Sequence, residues 1–283
     1  MKKAVLFGAN GMVGSRVVEL MQNDFELVCP TEAEADITNS DQISKYLSKE
    51  KPQIVINFAA VTDVDYCETE RENKEGIVWK VNALAPKHLS ELSSKLNCFM
   101  IQISTDMVFP GSKEDPGPYE ESHNVGNEQH LTWYGAGKAE GEKGNAVVRI
   151  IYPVRANYPK KLDYARKILK LYDEGHLYPM FSDQYMNITF IDELAEKLKV
   201  IAENKLSGIY HVSSSDTTTP YEFASYLINK ARRVENAVRR GSFEEFIKGK
   251  DRRRYPQFGG LKSTNTATWK EIIDKLAPNL QAL

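Results

Sequence analysis

An α/β fold, built as a Rossmann-type doubly wound parallel sheet with a smaller C-terminal substrate lobe, is predicted by three observations on the 283-residue chain. Short, nearly all-apolar runs recur through its first half. Amphipathic runs of helical period lie between them, and a glycine-rich turn joins the first apolar run to the first helix. Strand–helix alternation of this kind implies right-handed βαβ crossovers.

The apolar runs are Ala4–Phe7, Glu26–Cys29, Ile54–Phe58, Phe99–Ile103 and Ala146–Ile151, each four to six residues long. Runs this short, without polar alternation, suit strands covered on both faces. Between them, Val13–Met21 sets Val13, Val17, Leu20 and Met21 on one side. Asp41–Lys49 does the same with Ile43, Tyr46 and Leu47, and Asn82–Leu96 with Leu84, His88, Leu89, Leu92 and Leu96. The second half is less regular. Helices are expected over Leu162–Asp173, Asp192–Glu203, Tyr221–Arg233, Phe243–Ile247 and Trp269–Leu276, with a strand over Gly208–Ser213. The change of texture near Pro153 marks a lobe boundary. Residues 1–153 with about 184–214 are expected to form the sheet domain, and about 154–183 with 215–283 the substrate lobe.

Composition excludes several classes. Hydrophobic residues make up 41% and charged residues 27% of the chain, which supports a buried core and argues against disorder. The formal net charge of −2 gives no general attraction to nucleic acid, so no nucleic-acid partner is expected. Cys29, Cys67 and Cys98 are far apart and form no CxxC pair, as reduced thiols of a cytoplasmic protein would be. The basic start, Met1-Lys2-Lys3, is followed by an apolar run that stops at Gly8. No stretch approaches ~18–20 apolar residues, so neither a signal peptide nor a membrane partner is expected.

The segment from Val5 reads Val-Leu-Phe-Gly-Ala-Asn-Gly-Met-Val-Gly, a strand that enters GxxGxxG and then a helix. Gly8 can make the tight turn, Gly11 lets a backbone approach a pyrophosphate, and Gly14 lets the helix lie close to the sheet. Amide groups at the helix start then face the phosphates. A nicotinamide dinucleotide is the expected cofactor. The second strand ends Val28-Cys29-Pro30-Thr31-Glu32, so the carboxylate that would clasp an adenosine ribose is replaced by Thr31 or displaced to Glu32. With Arg16 nearby in the first helix, the expectation leans to NADP(H) over NAD(H).

Two later segments carry reactive groups. Ser104-Thr105-Asp106 closes an apolar run, and Tyr134-Gly135-Ala136-Gly137-Lys138 is a YxxxK element. Residues four apart on a helix share a face, so the phenol and the ammonium can approach one ribose. A nearby ammonium should lower the phenol's pKa and make Tyr134 a usable proton donor to a carbonyl. Thr105 would hold that carbonyl oxygen. Gly135 and Gly137 each weaken the helix by about 1 kcal/mol, so it is expected to begin only near Tyr134.

These pieces together resemble the dTDP-4-dehydrorhamnose reductase family and, more broadly, the sugar-nucleotide reductases and epimerases of the extended short-chain dehydrogenase superfamily. The matching segments run in order from Gly8–Gly14 through Asp36-Ile37-Thr38, Val55–Asp65, Val81-Asn82, Ser104–Phe109 and Pro118-Tyr119-Glu120. They continue through Tyr134–Lys138 with Gly141-Glu142, Asp183-Gln184, Gly208–His211 and Glu222–Ala224. The resemblance implies that Gly11, Met12 and Val13 touch the pyrophosphate, that Asp36 and Ile37 lie on the adenine side, and that Ala59, Ala60 and Thr62 line the cofactor's path along the fourth strand. It implies a catalytic set of Thr105, Tyr134 and Lys138, and a substrate face of Thr105, Asp106 and Tyr152. The implied reaction is NAD(P)H-dependent reduction of a nucleotide-linked 4-keto-6-deoxy sugar, by a monomer or a homodimer.

The chain departs from the family around the sugar pocket. The approach to Tyr134 carries His123, Asn124, Gln129 and His130 in place of a Pro-rich segment, and Met107 replaces an aromatic. Tyr185–Ile188 follow Asp183-Gln184, and Arg253-Arg254-Tyr255-Pro256 matches only loosely. Two other readings therefore stay open: a sugar-nucleotide epimerase or dehydratase with tightly bound NAD, and a non-catalytic NADP-binding regulatory subunit resembling methionine adenosyltransferase β. The late arginines, Arg252–Arg254 among them, could grip a diphosphate or simply be solvated. No metal site is expected. Asp63, Asp65 and Glu68 read as a solvated loop, and Cys67 has no evident activator.

Overall fold

The computed structural model describes residues 1–155, 161–251 and 256–280; the arginines at 252–254 lie outside the described residues. In chain order, β1 (Lys2–Phe7), α1 (Met12–Met21), β2 (Phe25–Val28), α2 (Ser40–Glu50), β3 (Ile54–Asn57) and α3 (Val64–Thr69) come first. Next is a continuous helical stretch: α4 (Ile77–Trp79), a π-helical turn (Lys80–Leu84) and α5 (Ala85–Lys95). β4 (Phe99–Thr105), α6 (Trp133–Glu140) and β5 (Ala146–Ile150) complete the first half. The second half holds β6 (Pro153–Val154), α7 (Tyr164–Asp173), β7 (Met180–Phe181), β8 (Thr189–Phe190), α8 (Ile191–Asn204), β9 (Gly208–Val212), α9 (Pro220–Arg232), β10 (Arg240–Gly241), α10 (Phe243–Phe246) and α11 (Trp269–Leu276).

The six-stranded sheet runs β2-β1-β3-β4-β5-β9, with β1 parallel to both β2 and β3 and β3 parallel to β4. The chain reverses direction of travel across the sheet between β1 and β3. Ligands of doubly wound sheets bind at such a switch point, beyond the carboxyl ends of the strands. β3 and β4 are buried along their whole lengths, which is why their sequences show no alternation. Val5, Val55 and Met100 on one sheet face pack with Ile43 and Leu47 of α2 and Leu89 of α5.

Two compact units emerge. The first is Met1–Phe109, Asn124–Arg149 and Leu194–Tyr210; the second is Pro110–His123, Ile150–Glu193 and His211–Leu283. The division departs from the expected boundaries in three places, the first being that Ile150–Pro153 falls in the second unit. Pro110–His123 joins the second unit, where Gly117 N–H donates to Phe258 O (2.7 Å), Tyr119 N–H to Gly260 O (3.0 Å) and Lys262 N–H to Tyr119 O (2.7 Å). The segment returning to the first unit is shorter than 184–214, because Asn187 is tied into the second. Its Nδ2 donates to Ser213 Oγ (2.9 Å), Ser214 O (3.1 Å) and Leu261 O (2.7 Å), while its Oδ1 accepts from Leu261 N–H (3.1 Å). No helix among the described residues is long and apolar enough to cross a membrane.

Candidate active site

The glycine turn is built by close approach. Gly8 has φ +73°, and a Cβ there would lie 2.5 Å from Ala59 N. A Cβ on Gly14 would lie 2.6 Å from Gly8 O and 2.8 Å from Ala9 Cα. Both neighbours are backbone, which cannot swing aside, so these two glycines are obligatory for the turn itself. Gly11 is less confined, its nearest neighbour being Gly8 O at 3.3 Å. It is also the residue preceding α1, whose start has no side-chain cap and no acidic residue in its first turn. Helix starts of this kind suit an anion. Gly14→Ala is therefore expected to lower stability by about 1–3 kcal/mol through overpacking, and Gly11→Ala by under about 0.5 kcal/mol. Both should weaken dinucleotide binding. Thermal melts with and without NADH check the distinction, and equal destabilisation by the two variants would refute it.

This turn opens on a cleft of about 480 Å³ lined by Gly8 to Gly11, Pro30 to Glu32, Ala35 to Thr38, Ala59 to Val61, Ile77 and Val81, with Phe7 at its base. Of the residues expected to touch the cofactor, Gly8, Gly11, Asp36, Ile37, Ala59 and Ala60 form its wall; Met12, Val13, Gly14, Thr62, Tyr134 and Lys138 do not. Ala59 to Thr62 follow β3, the third strand in sequence, and not the fourth. Pro30, Ile77 and Val81, not among the residues expected there, also line the cleft, because the end of β2 and the helical stretch from Ile77 are brought beside the glycine turn. A tight glycine turn beneath a helix start without a side-chain cap fits the pyrophosphate of a dinucleotide.

The YxxxK element lies on α6. The helix starts at Trp133, where Thr132 Oγ1 accepts Gly135 N–H (2.9 Å). Its glycines are contact points more than weaknesses: a Cβ on Gly135 would sit 2.1 Å from Met107 O, one on Gly141 2.1 Å from Asn82 O, and one on Gly137 3.2 Å from Asn82 Cβ. This close seating brings α6 against the end of β4. Thr105 is 7% exposed; its hydroxyl is near enough to the Tyr134 phenol to pull the phenol's pKa down, and it donates to Asp106 Oδ1 at 3.2 Å. Lys138, 4% exposed, donates from Nζ to Ile103 O at 2.7 Å. Thr105, Asp106, Tyr134 and Lys138 are thus gathered around one strand end.

The electrostatics correct one expectation. Burial pushes the Tyr134 phenol above its ordinary value; the Thr105 hydroxyl pulls it down and the Asp106 carboxylate adds to the rise. The Lys138 ammonium, engaged by the Ile103 carbonyl, does not offset that burial. Its own pKa is lowered by desolvation to about 8, with Glu142 opposing the fall. Desolvation likewise raises Asp106 to about 7. Phenol and lysine are buried together in one poorly solvated site, where burial outweighs their mutual influence.

Asn82 joins this cluster to the cleft. It is fully buried in the π-helical turn, a feature frequent at functional sites. Its Oδ1 accepts Val61 N–H (2.9 Å) and its Nδ2 donates to Val61 O (2.9 Å), so the cleft-lining Val61 and the helix carrying Tyr134 share one anchor. A fully buried amide on an otherwise apolar helix stripe was the available sequence signal. Tyr152 lies in the second unit, 40% exposed, at φ +37°, with its ring 4.7 Å from that of Tyr164. Asp63 is exposed in the loop that leads into α3, where its side chain also caps the helix, accepting Tyr66 N–H at 3.0 Å. Glu68, on the same helix, is bonded to Arg71 and to Trp133 N–H. No group of three or more metal-binding side chains occurs among the described residues. Burial lifts the Cys67 thiol to about 12, which leaves it without thiolate character at neutral pH.

Comparison with known proteins agrees with this architecture. A reductase from Aggregatibacter actinomycetemcomitans, dTDP-4-dehydrorhamnose reductase by name, is 27% identical over 246 residues, covering 82% of this chain and 80% of that one. A crystal structure of a dTDP-4-dehydrorhamnose reductase ortholog from Clostridium acetobutylicum superposes with a TM-score of 0.85 at 26% identity, covering 99% of this chain and all of the other. The Bacillus anthracis dTDP-4-dehydrorhamnose reductase, solved in complex with NADP, superposes at 0.83 with 24% identity over 97% of each chain. The family model for the RmlD substrate binding domain matches residues 1–280, and the chain belongs to that family.

Proposed function

We propose that this protein is an NAD(P)H-dependent reductase of a nucleotide-linked 4-keto-6-deoxy sugar. One observation carries the reading: the neighbouring Thr105 and Tyr134 hydroxyls at the end of β4, with Lys138 one helical turn on, in the same unit as a glycine cleft shaped for a dinucleotide. The bound cofactor supplies the hydride. Tyr134, kept protonated by burial, donates its proton to the carbonyl oxygen as the carbon is reduced, and Thr105 holds that oxygen in line. Lys138, still largely an ammonium near neutrality, anchors the nicotinamide ribose. The names of the relatives at 26–27% identity supply the substrate class.

The lean to NADP(H) loses its physical support. Arg16, which was to meet a 2′-phosphate, pairs with Glu19 at 2.9 Å, and the charged residues of the cleft wall are Glu32 and Asp36. NADH is expected to bind at least as tightly as NADPH. Glu32→Ala should shift the ratio toward NADPH by about three- to tenfold, the size of one nearby partly screened charge. Fluorescence titration of both cofactors measures it, and an unchanged ratio would remove Glu32 from the discrimination.

A panel of dTDP-, GDP- and UDP-linked 4-keto sugars with NADH and NADPH, followed by loss of reduced-cofactor absorbance, tests the reaction. Turnover of at least one is expected. Absence of turnover across the panel would overturn the reading. Retained NAD on purification would then point to an epimerase or dehydratase, and a stoichiometric protein partner to a regulatory subunit.

A further inference from the structure

The catalytic helix is held at its start by a residue remote in sequence. Glu68, on α3, accepts Trp133 N–H at Oε1 with a distance of 2.6 Å. Trp133 opens α6 and immediately precedes Tyr134. Arg71 fixes that carboxylate from two sides, donating from Nε to Oε2 (2.7 Å) and from Nη2 to Oε1 (3.0 Å). The same Nη2 donates to Leu131 O at 3.0 Å. The two side chains are 13% and 18% exposed, so water offers little replacement for either bond.

Three facts make this more than an ordinary ion pair. The first turn of α6 contains no acidic residue of its own, and a carboxylate at a helix start is favoured by the exposed amides there. Thr132 already satisfies Gly135 N–H, so Glu68 meets a second amide of the same helix start. The indole of Trp133 is fully buried and stacks on Trp79, with ring centroids 4.6 Å apart. Residues 131–133 are therefore fixed by backbone bonds on one side and by a ring on the other. We infer that Glu68, clamped by Arg71, is a positioning residue that sets where the Tyr134 phenol stands relative to the Thr105 hydroxyl. The inference rests on the reductase reading, in which Tyr134 is the acid.

Misplacement of a reacting group by about 1 Å costs up to about 10²-fold in rate. Glu68→Ala is accordingly expected to lower kcat about 10–100-fold, with KM for the sugar nucleotide and Kd for NADH within about twofold. Glu68→Gln keeps an oxygen for the Trp133 amide and should recover kcat to within about threefold of wild type. The decisive measurement repeats Glu68→Ala on Tyr134→Phe. A residue that acts through the phenol has little left to misplace, so the further loss should be under about threefold. If Glu68→Ala does not fold, Arg71→Gln replaces it, with about a 3–10-fold loss of kcat on wild type and under about twofold on Tyr134→Phe. An undiminished kcat, a loss shared equally by KM and Kd, no recovery in Glu68→Gln, or full multiplication of the losses on Tyr134→Phe would each overturn the inference. These outcomes are separable from failure of the reductase reading, which would show as wild-type protein without turnover or as Tyr134→Phe with full activity.

Discussion

Tyr134→Phe is expected to lower kcat about 10²–10⁴-fold, the range for removal of a general acid, while leaving the Kd for NADH within about twofold. Phenylalanine fills the same partly buried space and keeps the packing against Trp133 and Ala136. Only the phenol oxygen and its proton are lost. Because burial and the Asp106 carboxylate raise the phenol above its ordinary value, wild-type Tyr134 stays protonated across the neutral range and imposes no limb of its own there. The alkaline limb should come from Lys138, whose pKa burial lowers to about 8. As pH rises through that value the ammonium is lost and ribose anchoring with it, so kcat/KM should fall above about pH 8. Steady-state rates from pH 6 to 9.5 with both proteins check the two statements. Retained activity in Tyr134→Phe would refute the assigned role, and a profile flat to pH 9.5 would refute the dependence on charged Lys138.

The largest effect on stability should come from Arg149→Met. Arg149 lies in β5, with its side chain 1% exposed and that of Glu142 8% exposed. Its Nε and Nη2 donate to the two oxygens of Glu142 at 2.8 and 2.7 Å, and Ser104 Oγ donates to Oε1 at 2.7 Å. The guanidinium also sits 4.8 Å from the centre of the Phe109 ring. Removing the cation leaves a desolvated carboxylate with one hydroxyl partner and no cation bonded to it, Lys138 acting on it only through space, which costs about 3–5 kcal/mol. Glu142→Gln combined with Arg149→Met should recover part of the loss, because the amide carries no charge to leave unpaired. Urea midpoints measure both. A loss under about 1 kcal/mol would show that the pair is not the buried anchor its geometry describes.

Local periodicity made most elements legible. Trp269–Leu276 emerges with the expected bounds, and β1 to β5 each overlap an apolar run. Misjudged positions share one cause, a contact remote in sequence. α5 does not begin at Asn82, because the helix already starts at Ile77 and passes through a π-helical turn that aims Asn82 at Val61. Gly135 and Gly137 read as weak points of a helix and prove to be the places where it meets Met107 and Asn82. Glu68 reads as a solvated charge until Trp133, 65 positions away, is folded against it.

The sequence by itself determined the alternation of strand and helix, the glycine turn and the four-residue spacing of Tyr134 and Lys138, because each depends on neighbours within a turn or two of chain. Only the tertiary structure decided which carboxylate meets which amide, which residues wall the cleft, and the direction in which the phenol's pKa moves. Those depend on burial and on partners that the packing of helices against the sheet brings together, and neither is written in local spacing.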